Sequence, residues 1–136
     1  MDEIAELVRR VEACELPLQE WTHRVHLTVS TWFLTNHGLE EGTRLMRDTT
    51  QRFNAHNGIE VTRERGYHET LTLAWLRKID NVLKKCEANT SLPERVERVL
   101  DACGDKLALL QYYSRERMMS WEARLSWVEP DLKPLE

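Results

Sequence analysis

Apolar residues recur along this chain at steps of three and four, and nowhere alternate at steps of two for long enough to make a strand. That periodicity restricts the fold to amphipathic helices, each of which must bury its apolar stripe against another. Ile4, Leu7, Val8, Val11 and Cys14 mark the first helix, opened by Asp2. Leu16-Pro17-Leu18 ends it, because proline cannot continue the hydrogen-bond ladder and restricts the residue before it. A second helix begins near Glu20 or Thr22 and runs through Leu27, Trp32 and Phe33 to Asn36-His37-Gly38. A third spans Leu39 to about His56 and stops at Asn57-Gly58, each glycine supplying the left-handed residue that terminates helices. Helices joined so tightly are expected to be antiparallel neighbours.

The loop from Gly58 to Gly66 is the longest connection, and loops of that length often carry function. A fourth helix starts at Gly66 or Tyr67 and runs to about Ala88, with His68, Leu71, Trp75, Ile79, Val82 and Cys86 on one face. That register points His68 inward, while Glu69 points about 100° away. Beyond a break at Asn89–Pro93 come a short helix to Cys103, another capped by Asp105, and a stretch from Ser120 to Trp127. The closing V-E-P-D-L-K-P-L-E leaves as an extended strap across the bundle. The expectation is all-α: one domain over residues 1–136, a bundle of four main helices with short C-terminal helices.

Composition sets the function classes that remain. At 136 residues the chain suits one domain with a real core. No apolar run approaches the ~20 residues of a bilayer span, and the start, M-D-E-I-A-E-L, is acidic where a signal peptide is basic. The expected setting is the cytoplasm, with no membrane partner. A net charge of −4, with arginines scattered among glutamates, offers no general attraction for nucleic acid. Cys14, Cys86 and Cys103 are odd in number and far apart, so the expectation is buried, inert thiols rather than disulfides or a zinc knuckle.

Against that background the histidines stand out, because three of the five lie in W-T-H-R-V-H-L and G-Y-H-E-T. His23 and His26, three apart, leave one helical face about a turn from each other, and Glu20 extends the strip if the helix begins early enough. With Thr22 as cap, Glu20 falls outside it. His68 from the fourth helix completes a set of two or three imidazoles with Glu20 or Glu69 as carboxylate. That donor set suits a divalent zinc, iron or manganese ion with open coordination positions. The competing reading makes His68 a satisfied core histidine and Glu69 a helix-capping residue.

The stretches W-T-H-R-V-H-L, G-Y-H-E-T-L-T and Y-Y-S-R-E-R…W-V-E-P-D-L together resemble an uncharacterised family of small helical bacterial proteins, over nearly the whole chain. The resemblance implies that His23, His26, His68 and Glu69 are motif residues, and it implies no activity. Before G-Y-H-E-T the family tends to read N-T-D-T, whereas this chain has Ile59-Glu60-Val61-Thr62-Arg63-Glu64-Arg65. A further likeness, of architecture only, is to damage-inducible metal-binding bundles that use three histidines.

Taken together, these features predict a metal-dependent enzyme acting on a small anionic molecule, by hydrolysis, group transfer or oxygen chemistry. His23, His26 and His68 would hold the ion, Glu20 or Glu69 act as base, Tyr67 donate a hydrogen bond, and Arg115 and Arg117 orient the anion. The alternative is a non-catalytic binding or regulatory module with structural histidines, whose apolar helix faces meet a protein partner or a second copy in a homo-oligomer. A metal-free acid–base enzyme using a histidine–glutamate pair is the third reading.

Overall fold

A computed structural model describes residues 2–135, and among them every regular element is helical. Helix α1 (Glu3–Glu12) begins where Asp2 accepts the Ile4 N–H, has acidic residues in its first turn and Arg9 and Arg10 in its last, and buries Val8 and Val11. Cys14 lies beyond the helix at a φ of 58°, reversing the chain so that Leu16 is buried. A 3₁₀ turn over Leu18–Glu20 follows Pro17.

Helix α2 (His23–His56) starts at Thr22, whose hydroxyl accepts the Val25 N–H, and has two arms, 23–37 and 39–56, separated by one residue. Gly38 has φ 81° and ψ 176°, a conformation essentially reserved for glycine. The chain folds back there: a Cβ on Gly42 would sit 3.2 Å from the Leu34 Cα. At the far end, the rings of Trp21 and Phe53 are 4.9 Å apart. The arms are therefore antiparallel, as the tight junction implies. Asn57 caps the second arm, with Gly58 at positive φ behind it.

Helix α3 (Glu69–Lys84) starts two or three residues later than its apolar pattern suggests, because His68 is the cap, and it ends about four residues earlier. The early end has a tertiary cause. Arg95 takes the carbonyls of Glu87, Ala88 and Thr90 and so holds the connection beyond the helix in a non-helical path. Arg95 belongs to α4 (Leu92–Cys103), which is capped by Ser91 and has Pro93 in its first turn. Beyond α4, Asp105 accepts the Leu107 N–H but supports only a 3₁₀ turn over Ala108–Gln111. Two short helices complete the chain, α5 (Arg115–Met118) and α6 (Trp121–Leu125).

Helix α2 packs against α1, α3 and α4, while α3 also meets α6. Leu27, Phe33, Phe53, Leu76, Ile79 and Val99 are buried between them. The tail crosses this assembly as a strap. Thr70 donates its hydroxyl to the Ser126 carbonyl and accepts the Val128 N–H, while Tyr113 donates to the Val128 carbonyl. Asp131 accepts from both the backbone N–H and the hydroxyl of Ser114, which hold its carboxyl below the usual range. All three cysteines are free: Cys103 is buried, whereas Cys14 and Cys86 are only partly so. Among the described residues no helix is long and apolar enough to cross a membrane.

Candidate functional site: a histidine-lined cleft

The three motif histidines all line one cleft between the arms of α2 and helix α3, but they do not share a centre. His23 is the first residue of α2, and its Nε2 lies 2.9 Å from the Cys103 carbonyl oxygen. A carbonyl only accepts, so Nε2 carries the proton and closes the last turn of α4. His68 is more fully committed. Its Nδ1 accepts the Leu71 N–H at 3.0 Å, capping α3, and its Nε2–H donates to the Met118 carbonyl at 2.8 Å. Burial, helped by the nearby Arg124 charge, lowers the pKa of this imidazole.

His26, one turn beyond His23, differs from both. Its ring packs on Trp21 with centroids 3.8 Å apart, and its nitrogens make no hydrogen bond among the described residues. Desolvation, assisted by the neighbouring His23, pushes its pKa down to about 4, so the ring is neutral at physiological pH.

These commitments decide the fit of a metal ion. A three-histidine centre needs a free lone pair from each ring aimed at one point. His68 offers none, the Nε2 of His23 is spent on α4, and among the described residues no three His, Cys, Asp or Glu side chains converge. The donor set expected from the spacing does not fit a shared ion.

The other expected site residues are also placed elsewhere or otherwise engaged. Thr22 is the cap, so Glu20 sits in the preceding 3₁₀ turn, exposed and off the strip. Glu69 opens α3 and closes no capping box. It accepts two bonds from the Arg47 guanidinium, at 3.1 and 2.8 Å, and one from the Tyr67 hydroxyl at 2.7 Å. Burial opposes its ionisation, but Arg47 and Tyr67 together outweigh burial and hold the carboxyl below its ordinary range. Tyr67 lines the cleft with its hydroxyl committed to Glu69, and burial with that bond raises its pKa. Arg115 is exposed, Arg117 donates to the Glu129 carbonyl in the strap, and neither lines the cleft.

What the cleft does offer is volume and an apolar wall. It encloses about 580 Å³ and is walled by Trp21, Leu27, Met46, Leu71, Trp75, Leu76 and Ile79. Polar groups enter from His26, Ser30, Thr50, Asn54 and Thr72, and Arg65, Lys106 and Leu107 stand on more exposed turns. Sequence reasoning missed Thr50, Asn54 and Lys106. A signal for the first two was present: His26 with Ser30, and Thr50 with Asn54, are polar pairs four apart on otherwise inward helical faces.

The long connection builds one side of the cleft with Ile59, Arg65, Gly66 and Tyr67. It is folded tightly on itself at Gly66, whose φ is 94° and where a Cβ would lie 2.6 Å from the Glu60 carbonyl oxygen. The hydroxyl of Thr62 accepts the N–H groups of Glu64 and Arg65. Buried Arg124 then pins the loop through a 2.9 Å bond from Nη1 to the Gly66 carbonyl. Compared with protein-family models, curated proteins and solved structures, the chain finds no match.

Proposed function

We propose that this protein binds a small, largely apolar molecule in the cleft between α2 and α3 and meets one polar group of that molecule with His26. One observation carries the reading: a neutral imidazole without a hydrogen-bond partner lies on the wall of a cleft of about 580 Å³ lined mainly by aromatic and aliphatic side chains. Such a volume with few convergent polar groups is the usual form of a small-molecule site. A partly desolvated ring nitrogen gains a net hydrogen bond when a ligand supplies the missing partner.

Binding is favoured over turnover by the same residue. An imidazole with a pKa near 4 is a weak base at neutral pH, and among the described residues no carboxylate orients it. Glu69 is already neutralised by Arg47, which leaves the histidine–glutamate acid–base reading without its base. The metal-dependent reading has less support still, because His68 has no lone pair to give. The proposal takes the chain as one domain, a bundle of four main helices (α1, the two arms of α2, and α3) working in the cytoplasm, with a small molecule rather than nucleic acid as partner.

The test is a titration with N-phenyl-naphthylamine, a neutral dye that brightens in apolar sites, on the native chain and on Ser30→Phe. Ser30 is buried on the cleft wall, so a phenyl ring there fills the space. Saturable binding to the native chain, weakened in a Ser30→Phe variant of unchanged helicity, is the expected result. No saturable binding, or equal binding to both, would overturn the proposal.

A further inference from the structure

Charge around the cleft is one-sided. The chain has 23 acidic and 19 basic residues and a net charge of −4. Yet among the described residues no aspartate or glutamate lines the cleft, while Arg65 and Lys106 both do. Among the described residues five of the 19 basic side chains, Arg9, Arg44, Arg47, Lys84 and Arg98, pair with carboxylates. Arg65 and Lys106 form no ion pair among the described residues.

The two come from separate parts of the chain, Arg65 from the connection before α3 and Lys106 from the turn after α4. Only the fold brings them to the same cleft. Arg65 also precedes Gly66, where the loop is pinned by Arg124, so its backbone position is set by a buried tertiary contact. Both side chains are exposed, and the interior beyond them is apolar. An acid group held at such a mouth keeps part of its hydration and avoids the cost of burying an unpaired charge. Cations beside low-dielectric walls also concentrate their field on an approaching anion. A cationic ligand would be repelled there.

We propose that the ligand of this cleft is an organic acid, with an aromatic or branched hydrocarbon body packed against Trp21 and Trp75 and its single anionic group held at the mouth by Arg65 and Lys106. This rests on the reading of the cleft as a binding site, and it moves anion recognition away from Arg115 and Arg117.

Anilinonaphthalene sulfonate and N-phenyl-naphthylamine share one hydrocarbon body and differ by the acid group, which separates the two claims. Both dyes are titrated against the native chain and against an Arg65→Gln, Lys106→Gln double variant, whose exposed replaced groups make no ion pairs and whose helicity is checked. The sulfonate is expected to displace the neutral dye from the native chain. The double substitution should weaken the sulfonate about three- to tenfold, as two exposed charge pairs would, and leave the neutral dye within about twofold. Added salt should weaken only the sulfonate, and only on the native chain. A sulfonate affinity unmoved by the double substitution, or a loss shared equally by both dyes, overturns the anionic ligand while the cleft stands as a binding site. If neither dye binds the native chain, both proposals fall.

Discussion

His26 should make the protein acid-sensitive in a window that its carboxylates do not reach. In the folded chain its pKa is pushed down to about 4, against an ordinary 6.5, by desolvation first and by His23 second. The unfolded chain therefore takes up the proton at higher pH than the folded one. The stabilising contribution is complete above about pH 6.5 and is lost as pH falls towards 4. The full shift corresponds to at most about 3 kcal/mol, of which about 2 kcal/mol is lost by pH 5. Because the ring faces an open cleft, solvent screening reduces the expected loss to about 1 kcal/mol.

Urea unfolding of the native chain and of His26→Asn, each at about pH 8 and about pH 5, measures this linkage directly. At a slope of about 2 kcal/mol per molar urea, the native midpoint should fall by about 0.5 M more than that of the variant. Burial also lowers the pKa of His68, but that residue is present in both proteins and cancels. Glu6, Glu41, Glu69 and Asp131 are all held below their ordinary values and lose their contributions only at lower pH. Equal losses in the two proteins, or an NMR titration of His26 near 6.5, would refute the reasoning.

Two further perturbations bear on the residues around the cleft. His68→Ala removes the cap of α3 and leaves the Met118 carbonyl without its donor, which should cost about 2–3 kcal/mol in thermal or urea unfolding. Zinc, iron and manganese contents measured by elemental analysis should be the same in native and variant protein, and a stoichiometric metal present only in the native chain would restore the metal centre. Gly66→Ala forces a side chain into a φ of 94° and against the Glu60 carbonyl. A loss of about 2 kcal/mol or more is expected, together with weaker dye binding because the loop is one side of the cleft. A change under about 0.5 kcal/mol would show that the loop rearranges freely.

Much of the helical framework was legible because its signals are local. Asp2, Thr22, Ser91 and Ser120 each accept a backbone N–H two or three residues ahead, an interaction that a short window of sequence contains. Gly38 could be read as a chain reversal since few other residues tolerate that backbone, and Pro17 as a break since it has no N–H to donate. Glu20 stayed open between two possible helix starts, and only the structure, with Thr22 as the cap, put it outside the helix. Helix α5 was not anticipated: Ser114 is an ordinary cap, but the Asp131 that reinforces it lies in the strap.

Periodicity by itself determined which face of each helix turned inward; it left the direction of His26 open, and His68, which the register also pointed inward, is the extended cap ahead of α3 rather than part of its stripe. It could not determine what stood opposite them. The carbonyls that engage His23 and His68 belong to Cys103 and Met118, 80 and 50 residues away, and the partner of Glu69 is Arg47 from the other arm of the hairpin. An imidazole with the same spacing is a metal ligand, a cap or an unpaired wall group according to which acceptor the fold brings within 3 Å. The tertiary structure supplied backbone carbonyls to two of the three and left the third facing open space. That difference rests on how α4 and α5 pack against α2 and α3, which helical periodicity does not encode.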